Sequence, residues 1–222
     1  MSAANLTLFA NGPIMKLYTY DSAPNPARLK MFLDYKGIEI DTQQIDMTKM
    51  EQHSEEFLTV CPNATVPTLV LDDGTRLTEV VAIVHFLESE YPEKPLLGET
   101  PIERAMILNW NHRLFMSVAL ATADAFRNAH PAFKDRALPG IHPVAQIPEL
   151  AERGKTRLLQ SFEEINTELG TRDFMAGANV SFADIDLLVM LNFASWAAKT
   201  VPDASLGNIR RWKQQAEQAL SS

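Results

Sequence analysis

The chain has 222 residues, of which 46% are hydrophobic and 22% charged, and its formal net charge is −8. That length supports one large domain or two small ones, and the high apolar share excludes a disordered chain. The acidic balance argues against nucleic acid or an anionic membrane surface as a general partner, since phosphate binding needs clustered Lys and Arg. The single cysteine, Cys61, excludes an internal disulfide, a Cys-x-x-Cys redox pair and a multi-thiolate zinc site.

The sequence carries no run of apolar residues long enough to span a membrane, because stretches such as Val80–Val84 are only a few residues long. The first 14 residues lack a basic region followed by a long apolar region, so no signal peptide is predicted. We interpret residues 1–14 as an N-terminal extension before a folded part that starts at Met15. These features predict a soluble, cytoplasmic globular protein.

Strand and helix patterns alternate in the first part of the chain. A strand over Ile14–Tyr20 is followed by a helix over Pro26–Lys36, with Asn25 as its N-cap and Gly37 just after its end. Alternation of apolar and polar residues then predicts a second strand over Ile38–Ile45.

A short helix, a hairpin and a longer helix complete this half. Ser54–Val60 has the pattern of a short helix, and Asp73-Gly74 is a strong turn signal between strands over Thr68–Leu71 and Thr75–Thr78. Glu79–Glu90 has helical apolar spacing. The order βαβαββα predicts parallel pairing of the first three strands, because helices connect them, with the hairpin adding an antiparallel edge.

Prolines separate this half from an all-helical one. Residues 91–100 contain prolines and a glycine, which predicts a linker between a domain over residues 15–90 and a second domain over residues 101–222. Thr100 and Ser181 each open a capping box. The predicted helices are a long one from Thr100, then about Pro148–Leu169, Asp184–Lys199 and Ser205–Leu220.

Short motifs in a fixed order make this chain resemble the cytosolic glutathione transferases, from about Met15 to Leu220. Each motif is weak alone, but their order and spacing are specific. The opening is similar to that of a fungal and bacterial branch that reads Ser-Ala-Pro-Asn-Pro-x-Arg. The motifs are Lys16–Ser22, Asn25–Arg28, Glu56–Leu58, Thr65–Leu69, Glu79 and Val180–Ile185.

The resemblance implies a fold and a chemistry. The fold is an α/β thioredoxin-like N-terminal domain followed by an all-α helical-bundle C-terminal domain. Glutathione is the implied co-substrate, without a metal, and a homodimer is the implied assembly. The resemblance further implies a small hydrophobic electrophile as the second substrate, and detoxification as the role.

Conjugation by glutathione needs the thiolate, and a thiol with a pKa of about 8.5 is only a few per cent ionised at neutral pH. Lowering that pKa by about two requires roughly 2.7 kcal/mol of preferential stabilisation of the thiolate. A helix N-terminus supplies about 0.3–1 kcal/mol, and one hydrogen bond to a charged group about 1.5–3 kcal/mol. We therefore expect a helix start and one good donor beside the sulfur.

The loop after the first strand is where the family activates the thiol, with a Tyr, Ser or Cys side chain. This chain departs from all three patterns, since Thr19 stands at the Tyr position, Pro24 at the Ser position, and the loop has no Cys. The remaining donors are Asn25 and Ser22, which we assign as the catalytic candidates. The alternatives are Asn25 as an N-cap only, Ser22 as a turn residue, and activation of the thiol by backbone N–H groups or a bound water instead.

The resemblance also supplies anchors for glutathione. Val66-Pro67 matches the family's cis-proline, whose preceding residue pairs its backbone with the cysteinyl unit; the alternative is a proline that starts an edge strand. Glu79 is expected to take the γ-glutamyl ammonium, with the N–H of Val80 and its successors on the carboxylate; the alternative is a partner for the helix dipole. Val80 stands where the family has Ser, so that hydroxyl is absent.

The remaining candidates are peripheral. Gln52 or His53 falls where some classes hold the glycine carboxylate, with a solvated loop as the alternative and Lys49 as a spare. His112 and Met116 lie on one face of the long helix and are expected to line a second-substrate cleft between the domains. The five histidines are too dispersed to suggest a metal site.

Three functions fit these residues. The leading one is a glutathione S-transferase that activates the thiolate for attack on a small apolar electrophile. A glutathione-dependent peroxidase or disulfide reductase needs the same thiolate and differs only in what occupies the cleft. A noncatalytic glutathione-transferase-like adaptor or regulator would keep the fold and lose the anchors.

Overall fold

The structure, a computed structural model, describes residues 15–221, so the predicted extension over residues 1–14 lies outside the described residues. A sheet with helices is followed by a wholly helical part, and the predicted fold class is confirmed. The strands are β1 (Met15–Thr19), β2 (Asp41–Gln44), β3 (Thr68–Leu71) and β4 (Arg76–Leu77). The helices are α1 (Pro24–Lys36), α2 (Glu55–Val60), α3 (Val80–Glu90), α4 (Pro101–Leu114), α5 (Leu120–Arg127), α6 (Pro148–Glu168), α7 (Phe182–Ala197) and α8 (Gly207–Leu220).

The sheet has the order β2-β1-β3-β4, and one predicted pairing is wrong. β1 and β2 are parallel as expected, but β3 is antiparallel to β1, as β4 is to β3. A parallel β3 would need a crossover that returns the chain along the sheet. Helix α2 has six residues and spans only about 9 Å, and β3 instead begins at the end of the sheet where β2 finishes.

Helix α1 starts two residues earlier than the prolines suggested, so the prediction of Asn25 as N-cap is wrong. The N-cap is Ala23, with extended backbone, and Pro24 is the first helical residue, followed by Asn25 and Pro26. Both prolines fit the first turn because N–H groups there have no partner inside the helix. The end is as predicted, since Gly37 adopts a left-handed conformation with φ 68°.

The helical part is built around α7, whose residues 182–191 are all buried. The long helix predicted from Thr100 is confirmed as α4, a π-helical turn over Phe115–Ala119 and α5 in succession. The capping boxes at Thr100 and Ser181 are present. Within residues 15–221, no helix is long and apolar enough to cross a membrane.

One core joins the two parts of the chain. Buried residues of α1 and α3 pack in the same cluster as those of α4 and α7. Across the boundary, the rings of Phe32 and Phe182 meet edge to face with centroids 6.0 Å apart. The helices of the second part therefore hold α1 in place, and with it the loop that precedes α1.

Candidate active site

The start of α1 presents few backbone donors. The N–H of Ala23 donates to the carbonyl of Tyr20 at 2.8 Å, which closes a tight turn, and the N–H of Ala27 donates to the carbonyl of Ala23. Pro24 and Pro26 have no N–H. Among residues 15–221, the N–H of Asn25 has no partner, so it is the single open backbone donor of this helix start.

The side chain of Asn25 is held from one side. Its Oδ1 accepts from Nη1 of Arg28 at 3.0 Å. Arg28 is buried, and its Nε donates to Oδ1 of Asp186 at 2.6 Å. Asn111 donates to the other oxygen of Asp186. Burial raises the pKa of the Asp186 carboxyl, and the charge and hydrogen bond of Arg28 oppose that rise.

The other candidate donor in this loop is less constrained. Ser22 is exposed and occupies the third position of the turn that ends at Ala23. The nearby Thr19 is buried and donates its hydroxyl to Asp21 at 3.3 Å, so it points back into its own loop. Ser22 is thus open to a ligand and is fixed by its backbone alone.

The start of α3 combines a free carboxylate with free N–H groups. Glu79 is the N-cap residue, is exposed, and its side chain makes no capping hydrogen bond. The first backbone bond of the helix runs from the N–H of Ile83 to the carbonyl of Glu79. In the described part of the chain, no hydrogen bond uses the N–H groups of Val80, Val81 and Ala82. An ammonium and a carboxylate on one small molecule would find complementary partners here.

The peptide bond between Val66 and Pro67 is cis, as the resemblance implied. Val66 is half-buried and packs against the small cluster around Phe57. Strand β3 begins only at Thr68, and neither the N–H nor the C=O of Val66 is paired within residues 15–221. The backbone here offers one donor and one acceptor to a strand-like guest.

The region expected to hold a glycine carboxylate is more enclosed than a solvated loop. Gln52 is buried, donates to the sulfur of Met50 at 3.7 Å, and leaves its Oε1 without a partner among the described residues. His53 is half-buried, and Lys49 is mostly exposed and pairs with Asp46 at 3.1 Å. The solvated-loop alternative is therefore wrong for Gln52.

A loop from the helical part covers this region. Arg136, between α5 and α6, donates to the sulfur of Met50. A Cβ at Gly140 of the same loop would lie 3.9 Å from the carbonyl oxygen of Asn63. The loop between α5 and α6 thus contacts the sheet domain beside Gln52.

His112 and Met116 do not line a cleft between the two parts of the chain. Both are exposed and line a groove of about 240 Å³ between α4 and α6. Every lining residue belongs to the helical part, including Glu164 and Glu168 of α6. The prediction placed them on one helix face correctly, but that face turns toward α6 because the buried stripe of Trp110 and Leu114 faces the core.

An aromatic cluster that the sequence analysis left out joins α5 to the end of α7. Phe126 of α5 contacts Phe133, Phe193 and Trp196, with ring centroids 5.0 to 6.5 Å apart. Trp196 is 43% exposed. The signal was the spacing of Phe193 and Trp196, which places two aromatic residues one turn apart near the end of α7.

The direction of α7 brings its end toward the start of α1. Phe32 of α1 meets Phe182, and Arg28, one turn earlier in α1, meets Asp186, one turn later in α7. The two helices therefore run antiparallel. Continuing this register carries the start of α1, with Asn25, toward the later turns of α7.

Among residues 15–221, no group of three or more His, Cys, Asp or Glu side chains is arranged to hold a metal ion. Cys61 is buried in the small cluster with Ile45 and Phe57, and its sulfur lies 3.5 Å from the hydroxyl of Thr65. Burial acts to raise the pKa of the Cys61 thiol, but hydrogen bonds with Thr65 and Thr68 outweigh it and lower the pKa.

Comparison with known proteins points to one family along most of the chain. Residues 23–90 match the model for the N-terminal domain of glutathione S-transferase, and residues 120–218 match the model for its C-terminal domain. The chain is similar to glutathione S-transferase 2 of Saccharomyces cerevisiae, with 28% identity over 230 residues that cover 100% of this chain and 95% of the relative.

Solved structures agree. The crystal structure of Gtt2 from Saccharomyces cerevisiae superposes with a TM-score of 0.81 at 28% identity, over 91% of this chain and 96% of that one. A glutathione S-transferase domain-containing protein from Marinobacter aquaeolei gives the same TM-score and identity, over 90% of this chain and 96% of its own.

Proposed function

The chain belongs to the glutathione S-transferase family, and we propose that it ionises glutathione at the start of α1 for attack on a small apolar electrophile. It is an enzyme of the transferase type: relatives named glutathione S-transferase are 26 to 28% identical over 92 to 100% of this chain. What is proposed beyond that activity is which residues perform it and on what class of second substrate.

The observation that carries the proposed site is the start of α3. Glutathione ends in a γ-glutamyl group with one ammonium and one carboxylate. Glu79 offers a carboxylate free of capping bonds, and three N–H groups follow it without partners in the described part of the chain. A carboxylate on those N–H groups also gains from the helix dipole. Val80 supplies its N–H and no hydroxyl.

The rest of the tripeptide follows from this anchor. The unpaired N–H and C=O of Val66 suit the cysteinyl unit as an added strand beside Pro67. Gln52 and His53 belong to the same domain and are proposed to bind the glycine end of the tripeptide. Among the described residues, Oε1 of Gln52 has no hydrogen-bond partner, and its amide nitrogen donates only to the sulfur of Met50.

The cysteinyl sulfur is proposed to meet Asn25. Both remaining donors of the first turn of α1 belong to this residue, the backbone N–H and the side-chain amide. One hydrogen bond from either donor, together with the helix dipole, supplies about 2–4 kcal/mol to the thiolate, a range that spans the roughly 2.7 kcal/mol required. Ser22 is proposed as the secondary donor.

The second substrate is proposed to lie against the aromatic cluster of Phe126, Phe193 and Trp196. Trp196 is exposed, Phe126 is half-buried and Phe193 is buried, and α7 carries Phe193 and Trp196 toward the start of α1. A planar, apolar electrophile would stack there with its reactive carbon toward the thiolate. His112 and Met116, in the groove between α4 and α6, are left without a substrate role.

A homodimer, a cytoplasmic location and a detoxifying role are proposed from the family. Exposed apolar residues of α4 and of the π-helical turn after it support the dimer: Ile102, Leu108 and Phe115 are 69%, 41% and 36% exposed. Light scattering coupled to size exclusion measures the assembly directly. A mass of one chain at micromolar concentration contradicts the dimer.

Calorimetric titration with reduced glutathione tests the anchor at α3. Glu79→Gln is expected to weaken binding about tenfold or more, because a hydrogen bond between charged groups is worth about 1.5–3 kcal/mol. The matched control is Glu90→Gln, which removes the same charge from the exposed end of the same helix. Equal affinities for the two variants would refute the role of Glu79.

Turnover separates the transferase from the alternatives. Wild-type protein is expected to conjugate a chlorinated nitrobenzene in the presence of glutathione. Turnover of a hydroperoxide or a mixed disulfide alone would favour the reductase, and no binding at millimolar glutathione would favour the adaptor. Trp196→Ala should raise KM for the nitrobenzene and leave the glutathione affinity unchanged.

A further inference from the structure

We propose that Arg28 is a positioning residue for thiol activation, because it sets which end of the Asn25 amide faces the ligand. This inference rests on the proposed role of Asn25 and adds a second residue that never touches the sulfur. The juxtaposition that carries it is the bond from Nη1 of Arg28 to Oδ1 of Asn25, 3.0 Å long.

The chemistry of the two groups leaves one orientation. A guanidinium has only donors, whereas a carboxamide has an acceptor oxygen at one end and two N–H donors at the other. The end of Asn25 that faces Arg28 must therefore be the oxygen. Its Nδ2 is then directed away from Arg28, and in the described part of the chain no hydrogen bond uses it.

This orientation matters because the two ends of the amide have opposite effects on a thiolate. An N–H donor stabilises the negative sulfur, and a carbonyl oxygen in the same place repels it. Asn25 is exposed, so solvent alone would leave both orientations accessible. Arg28 removes the unfavourable one without itself approaching the ligand.

Arg28 is fixed from the helical part of the chain. Its Nε donates to the fully buried carboxylate of Asp186, and Asn111 of α4 donates to the other oxygen of that carboxylate. The guanidinium also lies over the ring of Phe182, 5.6 Å from the centroid. Nη2 of Arg28 is buried without a partner among the described residues. Among the described residues, Asn25 is thus the only group that accepts a hydrogen bond from the terminal nitrogens, Nη1 and Nη2, of this guanidinium.

The test measures the ionisation constant of the bound glutathione thiol from the thiolate absorbance as a function of pH. Asn25→Ala is expected to reduce the ionisation constant of that thiol about tenfold or more. Arg28→Lys keeps a cation for Asp186 but has no planar fork to bridge two acceptors, so it should cause a similar reduction. Since Arg28→Met alone would leave Asp186 buried and unpaired, the second variant is Arg28→Met with Asp186→Asn.

A matched control removes another ion pair from the same helix. Lys30 and Asp34 are exposed and bonded at 2.7 Å, and Lys30→Ala with Asp34→Ala should leave the ionisation constant unchanged. Circular dichroism and glutathione calorimetry on every variant report whether it folds and binds.

The combination of Asn25→Ala with Arg28→Lys decides whether Arg28 acts through Asn25. The inference expects the double variant to ionise the thiol like Asn25→Ala alone, because the second change has nothing left to orient. Reductions that multiply would show that Arg28 acts by its own charge, and would overturn the inference. A wild-type constant in both Arg28 variants would overturn it and leave Asn25 standing. A wild-type constant in Asn25→Ala would overturn the role of Asn25 itself.

Discussion

Asp184 is expected to be the most sensitive capping residue in the protein. Its Oδ1 accepts from the N–H of Met175 and from Nε1 of Trp212 at 2.8 and 2.7 Å, and its Oδ2 from the N–H and the hydroxyl of Ser181, both at 2.9 Å. The side chain is fully buried. Asp184→Ala therefore leaves four donors without an acceptor in a site closed to water.

The magnitude follows from those four donors. Each buried donor left unpaired destabilises the fold by about 1–3 kcal/mol, so the expected loss is at least about 4 kcal/mol. That is a large fraction of the stability of a typical domain, about 5–15 kcal/mol. Burial raises the pKa of Asp184 and so opposes its ionised form. Asp184→Asn relieves that penalty, keeps one acceptor oxygen, and is expected to lose less than Asp184→Ala.

The second capping box of the chain is the matched control. Glu103 is exposed and accepts from the N–H groups of Glu99 and Thr100 at 2.9 and 3.0 Å. Since water can replace those bonds, Glu103→Ala should destabilise by only about 1 kcal/mol. Urea unfolding, followed by circular dichroism, measures both variants. A loss in Asp184→Ala no larger than that in Glu103→Ala would refute the argument from burial.

Three further changes have definite expected outcomes. A Cβ at Gly154 would lie 2.5 Å from the carbonyl oxygen of Ala121. Gly154→Ala should therefore destabilise the fold by about 1–3 kcal/mol through overpacking and lower its thermal midpoint. A Cβ at Gly207 would meet nothing within 4 Å, so Gly207→Ala should leave the midpoint unchanged. The Asp46 pKa is lowered to about 2, chiefly by hydrogen bonds from Thr48 and Lys49, so NMR should show its carboxyl titrating there. Its stabilising contribution is full above the ordinary value of 3.8 and disappears as pH falls toward about 2, and Asp46→Asn should flatten the stability profile over that window. In stopped-flow or steady-state assays, Trp196→Ala should impair large aromatic electrophiles more than small ones, and equal losses for both would count against the aromatic lining.

The sequence predicted those parts of the fold that depend on local chemistry. Both capping boxes, the turn at Gly74 and the left-handed end at Gly37 follow from side chains within a few residues of one another. The antiparallel direction of β3 relative to β1 does not follow from such contacts. It depends on the end of the sheet at which the chain leaves α2 and starts β3. Local signals therefore located the elements and misjudged one pairing.

The candidate site divides in the same way. Glu79 at a helix start and the cis bond after Val66 were accessible from short motifs and the resemblance they carry. The role of Arg28 was not, because its partner Asp186 is 158 residues away along the chain. His112 and Met116 were misplaced for the related reason that periodicity shows a helix face and not the neighbour that covers it.

Two prolines in the first turn of α1 explain why the amide of Asn25 is suited to the place where the family has a hydroxyl or a thiol. They remove two of the backbone donors that a helix start ordinarily offers to an anion. Asn25, between them, keeps its own N–H and adds a side-chain donor that does not titrate in the range where glutathione ionises. An amide gains nothing by proton transfer, so its contribution depends wholly on which end is presented. The proposed role of Arg28 follows from that dependence, because this buried cation, one turn later and paired with Asp186 of the helical part, fixes which end of the amide is presented.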